Sequence, residues 1–163
     1  MPCEPTEMNY KKEFLKLAKK YGIVVCFDRA TQGDEFVTRD WDGHDTVINI
    51  HLKDIRNEKD FAGALHELAH GVYESEEFLD DNQNRYHFGY GKSNCTMFVL
   101  KTEYNAWKHA TYLCPITWTD GMNDEYLLSI SSYIDAWEIR WKSKLNKKFK
   151  TYITNLDNPT FKI

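Results

Sequence analysis

Tyr10, Phe14, Leu17, Ala18 and Tyr21 recur at helical spacing between lysines and glutamates, so residues 5–21 predict an amphipathic helix stopped by Gly22. The pattern then changes. Segments 23–28, 35–39 and 46–52 are rich in β-branched and aromatic residues and are separated by Thr31-Gln32-Gly33 and Asp42-Gly43, which predicts three short strands in an antiparallel meander. Over 60–73 the period returns to that of a helix, with Phe61, Ala64, Leu65, Leu68, Ala69 and Val72 forming one apolar stripe suited to packing on a sheet.

Residues 74–92 start acidic and become rich in Gly, Asn and Tyr, the composition of a long mobile connection that borders a site. A second helical run over 93–113 ends before Pro115. A third starts near Asn123 and carries Tyr126, Ile130, Tyr133, Ile134, Trp137, Trp141 and Leu145 as a long stripe, a spacing at which Trp belongs to the core. The expected fold is α+β: a short antiparallel three-stranded meander packed against a helical bundle. With no internal repeat or linker, 1–163 reads as a single domain.

Composition agrees with a folded domain, since 42% of residues are hydrophobic, 15% aromatic and 28% charged. A formal net charge of -4 argues against general affinity for nucleic acid, which needs a concentrated positive face. The one basic patch, Lys142, Lys144, Lys147, Lys148 and Lys150, reads as a solvated helix end facing the negative end of the macrodipole. Cys3, Cys26, Cys95 and Cys114 are widely spaced and contain no Cys-x-x-Cys pair. No basic region followed by an apolar run opens the sequence and no segment approaches 18 consecutive apolar residues, so the expectation is a cytoplasmic protein with free thiols and no membrane partner.

The chemistry concentrates in the segment HELAH. On a helix His66 and His70, four apart, bring two imidazoles to one face and can ligate one ion. Glu67 is offset around the axis, placed to reach a water on the metal without ligating. Zinc lowers the pKa of its bound water to about 7, and a neighbouring carboxylate can take the proton as the water attacks a carbonyl. A catalytic zinc keeps three protein ligands, so a third is needed. The metzincin extension is excluded because Tyr73 stands where its Gly would be and no histidine follows at the required distance. Glu103, in LKTEYNAWKHA, is the best-placed donor, with His87 and His109 as weaker alternatives. Glu74, Glu76, Glu77, Asp80 and Asp81 read as a solvated acidic turn.

Over roughly 46–115 the sequence resembles the ImmA/IrrE-type metallopeptidases of phages, mobile elements and bacterial stress systems. VINIHL is similar to the strand before that family's active helix, FAGALHELAHGVY to its zinc helix, and EYNAWKHATYLCP to a later helix ending in Pro; Trp107 stands where Phe is common. The resemblance implies His66 and His70 as zinc ligands, Glu103 as the third ligand, Glu67 as base and a transcriptional repressor as substrate.

The expectation is therefore a zinc-dependent endopeptidase, a hydrolase of the His-Glu-x-x-His class with a downstream Glu, cleaving a protein or peptide that pairs with an edge strand near Val47 and Ile50. Tyr90, Tyr104 and His109 are candidate oxyanion donors. The alternative is a catalytically idle, metal-stabilised binding or inhibitor protein of phage or mobile-element origin, which has no need of Glu67. A third reading is a nucleic-acid protein acting through the lysine patch.

Overall fold

The computed structural model describes residues 7–29, 35–77 and 95–158, with side chains as far as Tyr73 in the middle segment. Among these the order is α1 (Tyr10–Lys20), β1 (Val24–Cys26), β2 (Phe36–Trp41), β3 (Thr46–His51), α2 (Glu58–Glu77), α3 (Met97–Leu113), α4 (Asp120–Trp141) and α5 (Lys147–Ile153). The architecture is α+β, as the alternation of periods implies.

Asn9 caps α1 by accepting the Lys12 N–H, and Gly22, at φ +68°, turns the chain out of the helix into β1. The sheet is not a meander. Its order is β1-β3-β2, with β1 parallel to β3 (Val25 opposite Ile50) and β2 antiparallel to it (Val37 opposite Ile50). Only the β2–β3 hairpin is formed by sequence neighbours. Its turn is set by Asp42, whose Oδ1 accepts the N–H groups of His44 and Asp45, and by Gly43 at φ +102°.

The physical reason for the order lies in β3. It carries the sheet's most buried residue, Ile50 at 0% exposure, whereas β1 has three residues and no fully buried one. Placing β3 in the middle covers the strand with most to bury. The strand expected at an edge is thus central, and β1 and β2 are the edge strands of the sheet among the described residues.

Helix α2 begins at Asn57, which accepts the Asp60 N–H, and runs through Glu77, so the residues from Glu74 extend it instead of forming a turn. Phe61, Ala62, Ala64, Leu65, Leu68 and Ala69 are all at 0% exposure, because the sheet lies on one side of α2 and α3 and α4 on the other. At Gly71 the helix comes close to the sheet side, and a β-carbon there would stand 3.2 Å from Ile48 Cγ2 and 3.3 Å from Ile23 Cδ1. The connection with His87, Tyr90, Asp80 and Asp81 lies outside the described residues.

Thr119 caps α4 through the Met122 N–H and donates its hydroxyl to Glu58 Oε2 at 2.7 Å, joining the N-termini of α2 and α4. The lysine run is not one helix end. Lys142 is the left-handed cap of α4, while Lys147 and Lys148 open α5, and Glu138 pairs with Lys144 at 3.0 Å and Lys150 at 3.5 Å. The end of α5 and the residues after it are gripped from the helices: Tyr104 donates to the carbonyls of Asn155 and Asn158, Lys108 to Leu156, and Tyr126 to Ile153. Cys26, Cys95 and Cys114 are free thiols. Among the described residues no helix is long and apolar enough to cross a membrane.

Candidate metal centre

Two helices supply the centre. On α2, a helical step of four brings His66 and His70 together, with Nε2 atoms 3.0 Å apart. On α3, Glu103 faces them: Oε2 lies 2.9 Å from His66 Nε2 and Oε1 lies 3.4 Å from His70 Nε2. One ligand atom from each residue falls within a 4.8 Å group, the arrangement that holds a metal ion. The three residues singled out from the sequence as ligands are thus brought together.

A metal fits the donor set. Glu103 Oε2 is buried and has no aligned hydrogen-bond donor although an imidazole nitrogen is close, so an acceptor faces another potential donor of an electron pair. A cation between them satisfies both. Burial pushes the Glu103 pKa up, but the charges of the nearby His70 and His66 imidazoles prevail and hold the carboxyl well below its usual range. At His66 burial and the neighbouring His70 act downwards, and Glu103 with Glu67 turns the net direction upwards. Without a metal the Glu103 carboxylate is thus kept ionised and holds a proton on the His66 imidazole, a proton that a cation at the same place would displace.

Glu67 follows His66 around the helix, its Oε1 3.5 Å from His66 Nδ1, the nitrogen turned away from the centre. It is close to the site and is not among the ligand atoms. His109 is displaced from the ligand group and stacks on Tyr73, with ring centroids 4.0 Å apart. Tyr104 is fully buried and its hydroxyl is committed to the carbonyls of Asn155 and Asn158, which takes it out of the set of oxyanion donors. His87 and Tyr90 lie outside the described residues.

Three neighbours of the centre have no sequence signal that ties them to it. Arg39 of β2 donates from Nη2 to the carbonyl of His70 at 2.8 Å. Glu35, just before β2, accepts the Lys53 N–H at 3.0 Å and lies against Gly63, one turn before Glu67. Burial, reinforced by the charge of Glu67, pushes its pKa up to about 7. Trp107 of α3 lies flat on His66. Each becomes a neighbour through tertiary packing, which local periodicity does not encode.

No family model, curated protein or solved structure matches the chain.

Proposed function

We propose that this chain is a zinc-dependent endopeptidase acting on a protein substrate, with His66, His70 and Glu103 as ligands and Glu67 as general base. The observation that carries the reading is the convergence of two imidazole Nε2 atoms and the Glu103 carboxylate within 4.8 Å, with Glu67 beside them. The resemblance to ImmA/IrrE-type metallopeptidases supports the same roles and a repressor or other regulator as substrate. When bound, zinc supplies an acidified water and a Lewis acid for the scissile carbonyl. Two histidines and a carboxylate also suit iron or manganese, so elemental analysis belongs to the test.

Glu67 takes a proton from the attacking water and returns it to the leaving amine nitrogen. The substrate chain pairs with β2, an edge strand of the sheet among the described residues. This strand runs along α2, with Glu35 beside Gly63 at one end and Arg39 at His70 at the other, and Glu67 falls between those two levels of the helix. Hydrogen bonds from β2 would set the register of an extended peptide past the base.

The contact between Glu67 and His66 Nδ1 also favours a second reading, in which Glu67 only orients a ligand of a metal-stabilised binding protein. Glu67→Gln separates the two, because an amide oxygen still accepts the Nδ1–H but is no base. The endopeptidase reading expects normal metal content and hydrolysis lowered by at least about 100-fold, followed as new peptide termini by mass spectrometry on unfolded protein mixtures. Undiminished hydrolysis would sink it.

A further inference from the structure

The face of the His66 imidazole rests on the indole of Trp107, with ring centroids 4.4 Å apart and planes inclined by only 9°. Both residues are buried, at 7% and 1% exposure. The indole is itself located from three directions. Its Nε1–H donates to Ser129 Oγ of α4 at 3.3 Å, Trp118 meets it edge-on at 6.5 Å, and Tyr126 does so at 5.7 Å. A face held this way restricts the imidazole plane, while Nε2 remains directed at Glu103.

We propose that Trp107 is a positioning residue of the metal centre: anchored by Ser129, it fixes the His66 ring in its ligating orientation and stabilises that ring when it carries positive charge from a bound ion. The inference rests on the metal-centre reading and extends it to α4, which contributes no ligand. An imidazole gains positive character when it donates its lone pair to a cation, and the electron-rich face of an indole attracts such a ring. The stack therefore strengthens on metal binding, a differential effect that packing alone would not have. Ser129 adds selectivity of orientation, since an indole hydrogen bond defines the rotation of the ring about its own normal.

Zinc affinity of the full chain, measured by competition with a chromophoric chelator, tests the idea in the wild type, Trp107→Phe, Trp107→Leu and Ser129→Ala. Trp107→Leu is expected to weaken zinc binding by about tenfold, as loss of a group supporting a ligand does, and Trp107→Phe to restore most of it by keeping an aromatic face. Ser129→Ala, a small change that leaves the core filled, is expected to weaken binding by about threefold. The wild type minus Trp107→Phe fluorescence difference, which isolates Trp107 from the other tryptophans, should change on adding zinc. If Trp107→Leu and Ser129→Ala fold and bind zinc as tightly as wild type, while Glu103→Ala loses it, the proposal is overturned and the metal centre stands. Absence of zinc binding by the wild type overturns both.

Discussion

Glu35 Oε1 lies 3.2 Å from the place a β-carbon would take on Gly63, so the glycine admits a carboxyl to the surface of the metal helix one turn before Glu67. A glycine inside a helix costs about 1 kcal/mol relative to alanine. Here its lack of a side chain makes room for a second acid near Glu67. It also leaves that acid poorly solvated, with consequences for stability.

The Glu35 pKa is raised from 4.5 to about 7 by burial and by the charge of Glu67, partly offset by the Lys53 N–H. The folded protein keeps this proton in a window where the unfolded chain has lost it. Stability of the metal-free protein should therefore fall as pH rises from 4.5 to about 7 and level off above. Glu35→Gln mimics the protonated form, so urea denaturation should find it equal to wild type at pH near 4.5 and more stable by about 2 kcal/mol at pH near 8. Parallel curves for the two proteins would contradict this.

Metal removal should loosen the junction between α2 and α3, because the three candidate ligands are shared between those two helices. An ion present at about 1,000 times its Kd adds about 4 kcal/mol to the folded state. For a chain of this length that corresponds to a rise in Tm of about 10 °C. Calorimetry with zinc and with chelator should show the rise in wild type and not in Glu103→Ala.

Tyr104→Phe should leave hydrolysis within about threefold of wild type, since the hydroxyl serves the carbonyls of Asn155 and Asn158 and not the centre. The expected cost is about 1–2 kcal/mol of stability, read by urea denaturation. A loss of activity by a factor of 100 with unchanged zinc affinity would restore this tyrosine as an oxyanion donor.

Thr119→Ala removes the cap of α4 and the bond to Glu58 together. A destabilisation of about 1–2 kcal/mol is expected, with zinc affinity unaltered because neither group approaches a ligand. Equilibrium unfolding and chelator competition on the same sample check both halves.

The helices and the grouping of His66, His70 and Glu103 were legible because their signals are local. His66, Glu67 and His70 fall within a run of helical period, and Glu103 follows in another, so spacing alone puts the groups on helix faces. Strand order was not legible, because 46–52 reads the same beside either neighbour and its central place follows from the burial of Ile50 against α2. The lysine run also deceived, since a cap at Lys142 and a new start at Asn146 divide what looks like one basic helix end. Helical period puts Trp107 on the same helix as Glu103, but its contact with His66 depends on how α3 crosses α2.

The grip of Tyr104 and Lys108 on carbonyls about fifty positions later in the sequence ties the helix that carries Glu103 to the segment at and beyond the end of α5. That segment shelters a lysine at 7% exposure, so the back of the helix is completed by contacts of long sequence separation, whose loop closure costs more entropy than the local pairing of His66 with His70.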